Sequence, residues 1–560
     1  MSPLGARQPG WSELLDVVAP PASNDWRLHV KDVPRIAPQA VEELEGGGEQ
    51  SLAHFRRVRG WLEDEERYEA VAVKGPRGAP TTRMPDAWIE LLRLHGVVKE
   101  VEKCEVRGWV HMFAVPEPAK QRYRPIKHTR DVNEALGKET LLQLRFPAKQ
   151  EICALVHQGA CFIALDFASY YDQFEYTAKV GARFCFRHGS RYYRLNTLAM
   201  GQRQAVEVAA CTTARLLDFG PRSTTAAIID NVIFVGSRAD VIRDATIFVD
   251  RVRAVGGLLN EDVSDIGALV ATAGDWGGIH LDFGTKTSCL TQKTLDKTEY
   301  SWTRRQLWTW RTFAAHIGLL FWSWQIIHLP MPEFFPLLRF VSEVGRHLQE
   351  NEHLWDEQAQ IWDSAWPVLE RWTMLVLRNT PRPVPQEQEP EWLVATDASE
   401  WGWGYFAVHN TTGAVRTHGA AWTCGFRQLY ADRLGVSTFT EPQGIVNALC
   451  HLLLPTSPQR VRILTDNTVA RACFQRGYNA RSFHINECIR RLHSIFGEEF
   501  VFDFVYLPGA CNPADALSRG RRIAGGEEAR DQVVSAEMRR IVGLASCPRE
   551  LGLTALPRPL

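Results

Sequence analysis

The sequence predicts an α+β chain of several domains, and three observations carry that expectation. The chain has 560 residues, too many for one hydrophobic core and enough for about three or four folding units. Hydrophobic residues make up 45% and charged residues 23%, an ordinary globular composition with ample core material. Helix-length amphipathic segments such as DAWIELLRLHG alternate with short β-rich runs such as CFIALDF and AAIIDNVIFV, ahead of a proline-rich break.

The elements follow in order. Residues 1–85 carry little pattern, with EELEGGGEQ as a flexible interruption, and receive no function. Residues 86–297 hold the mixed helix and strand pattern. Residues 298–377 read as helical and rich in tryptophan (Trp302, Trp308, Trp310, Trp322, Trp324). Most of these indoles are expected in the core, because duplex bases are already stacked and offer them little. RNTPRPVPQEQEPE, residues 378–391, reads as an extended interdomain linker. Residues 392–520 give three successive strands in EWLVATDASEWGWGYFAVHNTTGAVRTHGAAWT, then two helix-like stretches and two further strands, VRILTD and FVFDFVYLP, the order of a mixed sheet flanked by helices. Residues 521–560 read as a charged helical tail.

Charge and cysteine usage narrow the function class. The 64 Lys and Arg against 65 Asp and Glu leave a net charge of −1, so any nucleic-acid binding must rest on local patches. The 12 cysteines are scattered without a Cys-x-x-Cys pair. They are expected to be reduced, mostly buried thiols of an intracellular protein, cytoplasmic or nuclear. MSPLGARQPGWSELLD has no apolar segment of the signal-peptide kind. The longest apolar run, FAAHIGLLFWSWQII, is too short to span a bilayer, so no membrane role is expected.

Two sets of acids sit at the ends of these elements. Asp166 ends the apolar run CFIALD, and Asp230 stands with Asn231 at the tip of the hairpin IIDNVIFV. Taken singly, Asp166 reads equally as a helix N-cap, and the Asp-Asn pair as tight-turn residues. On adjacent strand tips they would bring together two hard oxygen ligands, as phosphoryl transfer with two Mg²⁺ ions about 4 Å apart requires. Asp397 ends a strand in VATDASEWGWG, Glu441 lies at a helix start in STFTEPQGIVNAL, Asp466 ends a strand in RILTDNTVA, and Asp515 opens a helix in CNPADALSRG. Each of these has a capping or surface reading of its own. A cluster of the four would hold two cations and aim a water at a phosphodiester.

Other side chains suggest a polyanion surface. Lys120, Arg122, Arg124, Lys127 and Arg130 fall in a stretch without an acid, as expected of a face toward triphosphate or template phosphates. A solvated charged strand is the other reading. Gly201 would let backbone approach a template or nucleotide closely, with ordinary packing as its rival and as that of Tyr171.

As an ordered set, these segments resemble the reverse transcriptases of long-terminal-repeat and DIRS-type retroelements, the latter with VIPER and TATE relatives. GWVHMFAVPEPAKQRYRPIKHTRDVNEAL is similar to the fingers segment, and CFIALDFASYYDQF to the motif with the first metal-binding Asp. YRLNTLAMGQRQAVEVA is similar to the segment usually written Pro-Phe-Gly-Leu, here Ala199, Met200, Gly201 and Gln202. IIDNVIFVG occupies the place of the Tyr-x-Asp-Asp hairpin, with Ile228 for Tyr and Asn231 for the second Asp. AVGGLLNE and GDWGGIHLDFGTKT resemble the closing palm motifs. Asp397, Glu441, Asp466 and Asp515 resemble the Asp-Glu-Asp-Asp set of retroelement ribonuclease H domains, and YLPGACNPADALSR is close to that family's ending. Tyr506 stands where many relatives have a histidine, while His484 and His493 read as ordinary helix residues. No aspartic protease, integrase or recombinase signature is present.

The resemblance implies a right-hand polymerase, with fingers and palm in 86–297 and a thumb or connection in 298–377, followed by a ribonuclease H-like mixed α/β domain. It implies RNA-directed DNA polymerase and ribonuclease H activities, each using Mg²⁺ or Mn²⁺, two ions per site. Asp166 and Asp230 would hold one pair of ions, and Asp397, Glu441, Asp466 and Asp515 the other. The implied partners are an RNA template, a DNA primer, the RNA–DNA hybrid and deoxynucleoside triphosphates, with other retroelement proteins beside them. Lys120, Arg122, Arg124, Arg130, Tyr171, Gly201, Gln202 and Asn231 would contact nucleotide and template, Tyr171 in the place of the aromatic residue that blocks a ribose 2′-hydroxyl. Asn231 offers an amide oxygen without charge, so Mg²⁺ binding is expected to weaken there. The alternative is a decayed or host-adopted, non-catalytic nucleic-acid-binding scaffold with a polymerase fold, and a third reading keeps only the nuclease.

Overall fold

The structure is a computed structural model that describes residues 26–71, 80–117, 120–137, 142, 144–327, 329, 331–386, 389–457, 459–497 and 500–521. The tail expected from 521 therefore lies, beyond its first residue, outside the described residues. The chain mixes helix and sheet and divides into two compact units. One runs to Gly277 and includes Leu281–Lys286, and the other takes Gly278–His280 and continues from Thr287.

The first unit has three small sheets. β1 (Arg27–Leu28), β3 (His111–Glu117) and β4 (Arg122–His128) form one in the order β1-β4-β3. β2 (Val98–Val101), β6 (Cys185–His188) and β7 (Arg191–Leu195) form the second, β2-β7-β6. β5 (Cys161–Asp166), β8 (Thr224–Ile228) and β9 (Asn231–Gly236) form the third, β5-β9-β8. Helices α1 (Glu49–Glu63), α2 (Arg130–Leu136), α3 (Arg203–Leu217) and α4 (Arg238–Ala254) accompany them. In β9, Val232, Ile233, Phe234 and Val235 are all 0% exposed, so this central strand is covered on both faces and its continuous apolar run follows from that. Ser237 then caps α4 by accepting from the Asp240 N–H.

In the second unit, helices α5 (Gln292–Thr303), α6 (Trp310–Ile327), α7 (Phe335–Glu350) and α8 (Trp366–Arg378) come first. Trp302 and Trp308 are buried, and they pack with His316 and Trp366. His316 shares a hydrogen bond with Thr373 Oγ1 at 3.0 Å, and burial pushes its imidazole down to about 4. That places the aromatic cluster in a core.

The proline-rich stretch is packed at its start, where an extended, unpacked segment is expected. Asn379 closes α8 in the left-handed conformation, and its side chain bonds both the N–H and the carbonyl of Leu290. β11 (Arg382–Pro383) pairs antiparallel with β10 (Thr287–Leu290), and Val384 is buried. A two-residue edge pairing leaves proline with no ladder hydrogen bond to forfeit.

The remainder is a five-stranded sheet. Its strands are β12 (Trp392–Ala398), β13 (Gly402–His409), β14 (Val415–Ala421), β15 (Arg460–Thr465) and β16 (Val501–Tyr506), in the order β14-β13-β12-β15-β16. The first three pair antiparallel, and β15 and β16 join parallel to β12. Helices α9 (Ser437–Leu452), α10 (Thr468–Arg476), α11 (Phe483–Phe496) and α12 (Asp515–Ser518) complete it. Among the described residues, no helix is long and apolar enough to cross a membrane.

Candidate active sites

The first unit places Asp166 at the end of β5, in register with Asn231 at the start of β9. Asp230 sits at the tip of the β8–β9 hairpin, and its carbonyl accepts the Phe167 N–H at 3.1 Å. The turn is formed with Ile229 at φ +58, an unfavourable conformation for a β-branched residue. Thr213 Oγ1 holds it by donating to the Ile229 carbonyl at 2.7 Å. Burial raises the carboxyls of Asp166 and Asp230 above their ordinary range, and the charge of Asp166 raises Asp230 further. Tyr171 is close enough to feel Asp230, and burial pushes its phenol up to about 12.

Two neighbours that sequence reasoning gave no role hold Asp166. The Asn260 N–H donates to the Asp166 carbonyl at 2.7 Å, and Asn260 Nδ2 donates to Asp166 Oδ2 at 2.8 Å. The Asp166 N–H donates to Glu261 Oε2 at 2.9 Å. Opposite, Asn231 Oδ1 is buried and accepts no hydrogen bond among the described residues. An orphaned amide oxygen beside two carboxylates is a set of hard donors that fits a divalent cation.

The same unit holds a cleft of about 460 Å³, lined by Lys127, Arg130, Tyr171, Met200, Gly201 and Arg203 among others. Asn133 fixes its floor, donating to the Gly201 carbonyl at 2.9 Å and accepting the Arg203 N–H at 3.0 Å. A Cβ on Gly201 would meet the Lys127 carbonyl at 2.8 Å, so the glycine permits close approach to the chain's own β4.

The basic residues do not act as one bare patch. Arg122 and Arg124 both face Glu117 across the β3–β4 pair, an acid just outside the acid-free stretch. Lys127 is buried and paired with Asp172 and Thr197. Arg130 pairs with Glu134 one helical turn away, whereas Lys120 is exposed. Gln202 is turned into the core, only 1% exposed, between the hydroxyls of Tyr68 and Tyr176. The structure thus brings Arg130, Tyr171 and Gly201 to one cleft and leaves Gln202 outside it.

In the second unit, the parallel strands β12 and β15 end on the same side of the sheet, so residues at their carboxyl ends converge. Asp397 comes from β12 and Asp466 follows β15, while α9 supplies Glu441. Carboxylate oxygens of the three lie within 4.8 Å of one another. Gly444 lets α9 sit close on β12, since a Cβ there would meet that of Ala398 at 2.8 Å. Gly509 leaves room for Asp466, whose Oδ2 would lie 2.6 Å from a Cβ added at that glycine. Ser518 Oγ donates to Asp397 Oδ2.

Glu441 is only 4% exposed. Its Oε1 accepts the Ala398 N–H at 3.3 Å, and its Oε2 is buried with no donor among the described residues. Burial, then the charges of Asp397 and Asp466, push its carboxyl up to about 9. Three converging carboxylates, one with a stranded oxygen, fit a divalent cation. Asp515 stands outside the trio. Its carboxylate is half exposed and bound by Arg519 at 2.9 Å, yet its charge reaches Asp397 and Asp466 and raises both. Tyr506 ends β16 with its ring part exposed. His484 bonds the Phe439 carbonyl and stacks on that ring, a packing role.

No family model matches this sequence, and neither does any curated protein. Solved structures of the foamy viral protease-reverse transcriptase are similar to it at a distance. Its complex with RNA/DNA hybrid is 12% identical, with a TM-score of 0.44 over 89% of this chain and 66% of that chain. The dRH form in complex with double-stranded DNA is 12% identical, with a TM-score of 0.42 over 86% and 83%. The double-stranded DNA complex is also 12% identical, with a TM-score of 0.41 over 86% and 99%.

Proposed function

We propose that the chain is a reverse transcriptase of the retroelement type, copying RNA into DNA in its first unit and cutting the RNA strand of the resulting hybrid in its second. The observation that carries this reading is that one chain holds two separate carboxylate sites, each built on convergent strand ends: Asp166 with Asp230, and Asp397 with Glu441 and Asp466. In this reading residues 86–297 are fingers and palm, 298–377 a thumb or connection, 378–391 a linker and 392–520 a ribonuclease H-like domain. The DIRS-type group is the best match of motif order.

Asp166, Asp230 and the Asn231 amide would hold divalent cations at the polymerase site, and Asp397, Glu441, Asp466 and Asp515 at the nuclease site. Such ions, when bound, neutralise developing phosphate charge and lower the pKa of the attacking hydroxyl or water. The protein's own contribution is placement. Arg130 and Arg203 offer cations to a triphosphate in the cleft, Tyr171 stands beside Asp230 as a wall for a sugar, and Asn133 keeps Gly201 in position. In the nuclease, Ser518 orients Asp397, and the burial of Glu441 preorganises a low-dielectric site.

A second reading rests on Asn231. With one charge fewer beside Asp230, the first unit would bind nucleic acid without extending a primer, and the nuclease alone would turn over. Primer extension on an RNA template with Mg²⁺, and separately with Mn²⁺, separates the two. Extension abolished by Asp166→Ala and by Asp230→Ala is expected. No extension with either ion, from protein that still cuts hybrid, would leave the second reading.

A further inference from the structure

The reading above leaves unused a hydrogen-bonded chain that ends on Asp166, and the inference here rests on that reading. Asn260 Nδ2 spends both its hydrogens, one on Asp166 Oδ2 at 2.8 Å and one on the Phe167 carbonyl at 3.2 Å. Its Oδ1 accepts from Lys31 Nζ at 2.6 Å. A lysine ammonium only donates, so it accepts no ambiguity in the amide. The oxygen must face Lys31, and the nitrogen must face the carboxylate.

If the amide turned over, its oxygen would oppose Asp166 Oδ2, and the contact would change from attractive to repulsive. Packing gives no reason for the arrangement, since Asn260 and Lys31 are both exposed. The clamp engages Oδ2 alone, and Asp166 Oδ1 has no hydrogen-bond donor among the described residues. The backbone on either side of the carboxylate is held as well, by the Asn260 N–H on one side and by Glu261 on the other. A residue held by one carboxylate oxygen and by its backbone on both sides, with the other oxygen free, is a prepared ligand.

We propose that Asn260 is a positioning residue for Asp166, that Lys31 sets the sense of its amide, and that together they present Asp166 Oδ1 to a divalent cation. Beside the direct pull of its charge on the Asp166 carboxyl, Lys31 holds the Asn260 amide, so a cationic donor at position 31 is required and a particular side chain is not. Arginine should serve, alanine should loosen the amide, and glutamate, which can only accept, should turn the amide over.

The test uses the full chain carrying Asp466→Ala, which removes the nuclease site from the measurement. Mn²⁺ binding is read by electron paramagnetic resonance, and primer extension on RNA is read as kcat and as KM for the primer-template. Asn260→Ala should weaken Mn²⁺ binding and lower kcat by about 10- to 100-fold, with KM for the primer-template unchanged. Lys31→Glu should match it, Lys31→Ala should fall between it and the parent, and Lys31→Arg should remain near the parent. The double variant Lys31→Ala/Asn260→Ala should be little worse than Asn260→Ala alone, well short of the two single losses combined, because two members of one hydrogen-bonded chain do not add.

Additive losses, or Lys31→Glu behaving like the parent in both readouts, would overturn the clamp while leaving Asp166-dependent extension and the proposed function intact. A parent protein with neither Asp166-dependent extension nor Asp166-dependent Mn²⁺ binding would overturn both.

Discussion

Asp166 faces Asn231 directly across the β5–β9 pair, a carboxylate opposite an amide whose oxygen is buried and has no donor among the described residues. The relationship sets what the first site lacks. Asn231→Asp would add a third carboxylate where burial already raises two. The Mg²⁺ concentration for half-maximal extension should fall several-fold. The metal-free protein should lose about 1–3 kcal/mol, the usual cost of an unsatisfied buried polar group. Primer extension across a Mg²⁺ titration reads the first effect and urea unfolding without Mg²⁺ the second, and an unchanged Mg²⁺ requirement would count against Asn231 as part of the site.

Glu441 should govern how the metal-free protein responds to pH. Its folded carboxyl lies at about 9 against an ordinary 4.5, so between those values the folded state holds a proton that the unfolded state has released. Stability therefore falls as pH rises through that window. Glu441→Gln should remove this component, leaving a flatter Tm-against-pH curve from pH 5 to 9, and should abolish hybrid cleavage. A variant whose Tm profile parallels the parent's would place the buried proton elsewhere.

Gly509 makes room for the Asp466 carboxylate. Gly509→Ala should displace that ligand and lower hybrid cleavage by about 100-fold, the scale of an ångström's misplacement, with primer extension untouched. Gly435→Ala, at a glycine with open space around it, is the matched control. Equal cleavage by the two variants would refute the steric argument.

Gln202 should behave as a core residue. Gln202→Ala takes the acceptor from the buried Tyr176 hydroxyl and one donor from the Tyr68 hydroxyl, which keeps its bond to the Trp61 carbonyl, and should cost about 1–3 kcal/mol of stability, while KM for nucleotide remains that of the parent. A raised KM without a stability loss would return Gln202 to the nucleotide site.

These cases mark where the sequence could be read and where it could not. The strands ending at Asp166, Asp397 and Asp466 were legible because a short apolar run closed by an acid is a local signal, and parallel pairing then brings Asp397 and Asp466 together. Lys31, Asn260 and Glu261 were not legible as a clamp, because the Lys31–Asn260 bond joins residues 229 apart in sequence and depends on tertiary placement alone. Lys127 lies in a basic stretch that reads as surface, and its partner Asp172 is 45 residues away in sequence. At Gly201 the expected close approach is to template or nucleotide, whereas the backbone that a Cβ there would meet is the chain's own, at Lys127. The proline-rich stretch carried a composition signal for extension but none for its pairing with Thr287 and Ser288.

The most direct measurement follows both strands of one substrate, an end-labelled RNA template with a differently labelled DNA primer, incubated with Mg²⁺ and the parent, Asp230→Ala or Asp466→Ala proteins. Two independent carboxylate sites predict a reciprocal outcome, in which Asp230→Ala cuts hybrid without extending the primer and Asp466→Ala extends the primer without cutting RNA. Loss of both activities in either variant, with the fold retained, would contradict two separate sites in this chain.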